Sequence, residues 1–124
     1  MTNQVSIEFL QAFADAWNAH DLDAMMSFMA DDCVFQQAVG PEIDGKRFDG
    51  VKNVRVGYKK LLDTFPDARW QNFTHFVVGD RGVSEWIFTA TGVDGRHVKV
   101  GGCDLFTFRD GKIAVKNSFR KLAM

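Results

Sequence analysis

The sequence is short of most things that would narrow a search quickly. It has two cysteines, Cys33 and Cys103, and two prolines, Pro41 and Pro66. Two thiols cannot make a disulfide-stapled scaffold, and they read as buried free thiols of a reducing compartment. No run of about 18 apolar residues occurs, so no helix is expected to span a bilayer. Charge of either sign is not in excess: 15 Lys and Arg stand against 16 Asp and Glu, for a net charge of −1. With a pI near 6.3, no global field draws in nucleic acid or an anionic membrane, and neither is expected as a partner. The first residues, MTNQVSIEFLQAF, lack a basic stretch followed by an apolar block, so no leader peptide is expected and the location is expected to be cytoplasmic. The three histidines, His20, His75 and His97, lie far apart with no ligand-like spacing, and no metal site is expected. Ser118 has no His–Asp support, and no Gly-x-Ser-x-Gly elbow is present.

Apolar bulk is abundant instead. The chain is 46% hydrophobic and 13% aromatic, with twelve Phe and three Trp. At 124 residues, 1–124 is the size of one domain, built around a core of large rings or a ring-lined cavity. Leu10, Phe13, Ala14 and Trp17 recur at helical spacing. After the break at "NAHD", Asp21 caps a second helix carrying Leu22, Met25, Met26 and Met29, which "ADD" ends. "CVFQQA" (33–38) reads as a short strand, 39–50 as a loop, and Val54, Tyr58, Leu61, Leu62 and Phe65 as a third helix stopped by Pro66. Both prolines are thereby placed between elements. Four longer segments follow, Arg69–Val78, Val83–Gly92, Arg96–Arg109 and Lys112–Lys121, rich in β-branched and aromatic residues and separated by "GDRG", "VDG" and "RDG" turns. Helices gathered on one face of an antiparallel meander make an α+β domain, and a curved sheet wrapped over helices leaves a conical cavity at one end.

One residue interrupts this pattern. In "GGCDLFTFRDGKIAVKNSF", Asp104 shares a strand face with Phe106 and Phe108, opposite Cys103 and Leu105. It is either a surface or ion-paired acid, or a pocket acid whose pKa is raised by desolvation. A three-residue turn would set it opposite Lys116, a two-residue turn opposite Asn117; the first is preferred because it turns Ser118 to the cavity. The "GG" at 101–102 is expected to mark a bulge. Tyr58 lies on the apolar stripe of its helix, with its hydroxyl either at the rim of the core or on a ligand. Gln37 shares a face with Phe35 and Cys33, and its amide needs either a ligand or a structural network. His20 reads as a surface cap; His75 alternates with Phe73 and Val77, toward the cavity.

The element order, with "FADAWNAHDLDAMMSFMADDCVF" and "GGCDLFTFRDGKI", resembles the SnoaL-like, ketosteroid-isomerase-like branch of the nuclear transport factor 2 (NTF2-like) superfamily across nearly the whole chain. The resemblance implies a cone of three helices packed on a curved, mostly antiparallel six-stranded sheet, usually as a homodimer. Ketosteroid isomerases use a base Asp, an oxyanion Tyr and a protonated Asp. At the matching places this chain has Gln37, Phe13 and Asp104, with Tyr58 where those isomerases carry a supporting Tyr. An amide cannot accept and return a proton at neutral pH, so standard steroid isomerisation is not expected. Epoxide hydrolases of the same fold need a second acid in the last strand, about where Ser118 stands; that strand offers Lys116, Ser118, Arg120 and Lys121 instead.

The combined expectation is a pocket for a small, largely apolar ligand. Asp104 would be the acid–base residue, Tyr58, Gln37, Lys116 and Ser118 polar contacts, and Phe13, Trp17, Phe35 and Phe106 walls. If catalytic, the chemistry would be a cofactor-free proton-transfer isomerase or lyase step. The alternative is a non-catalytic ligand-binding protein, or a small accessory subunit of a larger enzyme.

Overall fold

Two helices begin where a side chain is placed to cap them. The Ser6 hydroxyl accepts from the Phe9 amide at 3.1 Å and opens α1, Ile7–Asn18. The Asp21 carboxylate accepts from the Ala24 amide at 3.1 Å and opens α2, Leu22–Ser27. In the computed structural model, which describes residues 5–122, the chain continues as β1 Met29–Glu42, β2 Gly45–Asp49, α3 Gly50–Thr64, β3 Arg69–Val78, β4 Arg81–Thr91, β5 His97–Arg109 and β6 Lys112–Arg120. One six-stranded sheet runs in the order β2-β1-β6-β5-β4-β3, and only β1 and β6 are parallel. This is the α+β arrangement that the sequence implies.

Its first half departs from the sequence reading in three places. The second helix stops at Ser27, so Met29 is the first residue of β1 and "ADD" lies inside that strand. β1 is 14 residues long where a short strand was expected. The expected loop 39–50 contains β2, which pairs antiparallel with β1, and Pro41 sits near the end of β1, in the stretch where that pairing shifts register. β2 is an edge strand of mostly charged residues (Lys46, Arg47, Asp49) around one apolar side chain, Phe48, so it has no alternation to announce it.

The inner face of the sheet packs on α1 and α3. Leu10, Met25, Phe35, Val54, Tyr58, Phe88, Phe106 and Ile113 are essentially inaccessible. Aromatic rings meet edge to face across the layers, Trp17 against Tyr58 at 4.6 Å and against Trp70 at 5.2 Å. The "NAH" that interrupts the first helix fastens this packing. The Asn18 amide donates to the Trp70 carbonyl and accepts from the Trp70 amide, both at 2.8 Å, and His20 Nε2 lies 2.8 Å from the Ala68 carbonyl oxygen. His20 is therefore a docking residue for the segment that enters β3 and not a surface cap.

Candidate functional site

The site is set by the register of the last two strands. Asp110 and Gly111 have φ of 54° and 76°, a two-residue turn of the primed kind that pairs Arg109 with Lys112. That turn alone would oppose Asp104 to Asn117. The pairing shifts between Thr107 and Phe108, with Ala114 the extra residue on β6, so Asp104 faces Ser118 and Phe106 faces Lys116. Neither expected partner is its cross-strand neighbour. Beyond the bulge Lys116, Ser118 and Arg120 alternate onto the inner face.

Asp104 is a buried, ion-paired carboxylate. It is 7% exposed and Lys116 5%, so a surface acid is excluded. Asp104 Oδ1 accepts from Ser118 Oγ at 2.6 Å and lies 3.3 Å from Lys116 Nζ; Oδ2 accepts from the Trp86 indole at 3.0 Å. Lys116 Nζ also donates to Ser118 Oγ at 2.9 Å. Its charge sits 4.8 Å from the ring centroids of Trp17 and Phe35 and 5.6 Å from that of Tyr58. Burial pulls the lysine pKa below its ordinary value, and the Asp104 carboxylate opposes that pull. Lys116, Ser118 and Trp86 all converge on this one carboxylate, so the structure sets Asp104 in an ion pair with Lys116.

Trp86 reaches the pair because of Gly102, its partner across β4 and β5. A Cβ on Gly102 would stand 2.6 Å from two indole carbons of Trp86 and 2.4 Å from the Phe119 carbonyl oxygen. The expected bulge at "GG" is absent: the β4–β5 ladder runs unbroken through both glycines. Gly102 instead lets the indole pass close over the backbone.

Two cavities flank the ion pair. The first is walled by α1 (Leu10, Phe13, Trp17) and by Trp70, Phe73, Trp86 and Phe106, with Asp104, Lys116 and Ser84 as its polar groups. The second is walled by Phe35, Leu61, Phe65, Trp70, Trp86 and Phe88, with Gln37, Lys116, Ser118 and Arg120. Lys116 and the two tryptophans form the partition. Of the residues expected at a single pocket, Phe13, Trp17, Phe106 and Asp104 therefore meet at the first cavity, Phe35, Gln37 and Ser118 at the second, and Lys116 at both. Tyr58 lines neither. It is fully buried, its hydroxyl directed to the Met29 sulfur at 3.3 Å, and burial holds its pKa well above the ordinary value. A ring stacked behind Lys116 has no hydroxyl at a rim. The indole N–H of Trp17, a wall of the first cavity, is buried with no hydrogen-bond partner among the described residues.

Trp70, Trp86 and Ser84 are site residues that the pattern of the sequence did not single out, and Arg120, named there only among the cations of the last strand, was given no place in the pocket. The alternation Gly82-Ser84-Trp86-Phe88 put Ser84 and Trp86 on the inner face, but nothing in it gave the indole a polar partner. His75 lies beside the first cavity, bridged by Ser84 Oγ to Nδ1 at 2.8 Å and by Gln11 Oε1 to Nε2 at 2.9 Å. Burial lowers its pKa below 6.5, and the Asp15 carboxylate partly counters this. The unfolded chain then takes up the proton first, so stability present above pH 6.5 is lost as pH falls through the folded value. Chemical denaturation of the wild type should show that slope, and His75→Gln should flatten it; equal slopes in both would contradict the assignment.

Cys33 is buried and Cys103 half-buried; both are free, and burial pushes the Cys33 thiol up to about 11. Among the described residues no three of His, Cys, Asp or Glu gather to hold a metal, and no helix is long and apolar enough to cross a membrane.

Solved structures carry the same fold. A candidate polyketide cyclase from Pseudomonas putida KT2440 superposes with a TM-score of 0.83 at 19% identity, covering 98% of this chain and 93% of that one. An NTF2-like protein of unknown function from Mesorhizobium loti gives 0.75 at 29% identity over 93% and 89%. TerC, co-crystallised with polyporic acid, gives 0.78 at 20% identity over 93% and 90%. Among curated proteins none matches. Residues 10–116, which span every element from α1 to the Lys116 of the ion pair, match the SnoaL-like domain, and the chain belongs to that family.

Proposed function

We propose that the cone holds a small, largely apolar carbonyl compound and that the Asp104–Lys116 pair moves a proton on it without a cofactor, in an isomerase or lyase step. The observation that carries this reading is a buried ion pair set in the wall of a ring-lined cavity, where a purely structural pair would have no open side. Asp104 is the group that takes a proton from the carbon next to the carbonyl and returns it. The Lys116 ammonium and the unpartnered Trp17 N–H are donors for the oxygen as it gains negative charge. Gln37 and Phe13 supply neither a base nor a hydroxyl, which keeps the reaction distinct from standard steroid isomerisation.

The test uses 2-tetralone, a small apolar ketone, in deuterated water. Proton NMR should show exchange of its activated protons accelerated by the protein and abolished in Asp104→Asn. Binding without accelerated exchange would favour the second reading, a ligand-binding protein or accessory subunit, to which a carboxylate tied up by three donors lends some weight. An absence of binding would sink both.

The assembly proposed with this reading is a homodimer through the outer face of the sheet. Phe76, Val83 and Leu105 lie in one cross-strand row there, Cys103 and Phe119 in the next, and Phe76 and Phe119 are about half exposed. Sedimentation at micromolar concentration should give twice the 14.0 kDa chain mass, and a single species of that chain mass would reject the dimer.

A further inference from the structure

The second cavity holds a charge that the ion pair leaves unanswered. Arg120 occupies the last inward position of β6, and its guanidinium carbon lies 5.0 Å from the Phe88 ring centroid and 5.7 Å from that of Phe65. Lys116 is balanced by Asp104. Arg120 has no ion-pair or side-chain hydrogen-bond partner among the described residues, although burial disfavours its charged form. No acid lines this cavity, while Gln37, Ser118 and Lys116 add donors to its wall. A guanidinium stacked on two rings is already oriented, with its donor edge free to meet a carboxylate side by side.

We propose that this cavity takes a lipophilic carboxylate, its acid group on Arg120 and its apolar body against Phe35, Phe65, Trp86 and Phe88, with its far end at Lys116 and Ser118. The inference rests on the reading of the cone as a ligand pocket and adds the chemical class of the ligand. Aromatic walls around one guanidinium suit a singly charged organic acid. A phosphate dianion would bring more charge than one free cation balances, and a neutral ligand would leave the half-buried guanidinium without a counter-charge. The competing role for Arg120 is to run its stem over the rings and leave its head in water, since it also borders an open surface hollow with Asp94 and Lys121.

The matched probes 2-naphthoate and 2-naphthamide share a ring system and differ in charge. Each is titrated against the protein by tryptophan fluorescence, since Trp70 and Trp86 line the cavity. The naphthoate is expected to bind about tenfold tighter or more than the amide, with the preference shrinking as salt is raised. Arg120→Leu should erase the preference while leaving the affinity for the amide unchanged, and Arg120→Lys should keep part of it. Equal affinity of the two probes for the wild type, or a preference that survives in Arg120→Leu, overturns the carboxylate assignment and leaves the ring-lined pocket standing. Failure of both probes to bind removes the pocket and this inference with it.

Discussion

Asp104→Leu is expected to destabilise the protein by about 3–5 kcal/mol, because it strands the Lys116 charge among Trp17, Phe35 and Tyr58. For a domain of this size that corresponds to a fall in melting temperature on the order of 10 °C or more. Lys116→Met should do comparable damage by leaving the carboxylate with only Ser118 and Trp86. The double variant should recover most of the loss, since replacing both charges with apolar groups of similar volume is often neutral or stabilising. The lysine pKa, already pulled down by burial, falls further once Asp104 is gone. Between that folded value and the ordinary 10.5 the folded chain binds fewer protons than the unfolded one, so the single variant should gain stability as pH rises toward 10.5. Thermal melts of the four proteins across pH test this directly. Additive single effects, or a pH-independent Asp104→Leu variant, would mean that the two groups do not share one buried interaction. If the double variant matches the wild type in stability but no longer supports proton exchange on the ketone probe, the pair is kept for chemistry at no gain in stability.

The particular residues show where the sequence was legible. Apolar spacing found α1 and α3, and turn chemistry found β3 to β6 almost to the residue, because each buries one face against a layer and so carries the period of its own backbone. β2 was missed because an edge strand of charges with a single packed side chain, Phe48, has no alternation to betray it. The second helix ran too far because Met29 fits the helical stripe and the inner face of β1 equally well. Asp104 and its apolar face could be read from alternation. Its partner could not, because one extra residue at Ala114, invisible in "KIAVKN", moves every pairing beyond it by one. Of the polar contacts of Asp104, Ser118 and Lys116 come from β6, whose alignment depends on that bulge, while Trp86 reaches it from β4 across an unbroken ladder. Arg120 stood in the sequence as one more cation, and only the rings beneath it and the lack of an ion-pair partner among the described residues set it apart.

Gly102→Ala is the smallest change expected to break the site. The new methyl would meet the Phe119 carbonyl oxygen at 2.4 Å and the Trp86 ring at 2.6 Å. The carbonyl belongs to the backbone of β6, so relief requires moving a strand or tilting the indole, and overpacking of this kind costs about 1–3 kcal/mol. Tilting the indole also withdraws its N–H from Asp104 Oδ2, which adds a buried acceptor without its donor, worth roughly another 1–3 kcal/mol. A total of about 2–6 kcal/mol is therefore expected for one methyl group. In a Trp86→Phe background the hydrogen bond is already gone and the ring is smaller, so the same substitution should lose only the part owed to the Phe119 carbonyl. The difference between the two backgrounds isolates the share of the indole. Its readout is the Trp86 indole N–H resonance, which should move upfield in Gly102→Ala as the hydrogen bond to the carboxylate is lost. Wild-type stability with an unmoved resonance would show that the indole does not depend on a bare backbone at 102, and the positioning of Asp104 would then rest on Ser118 and Lys116 alone.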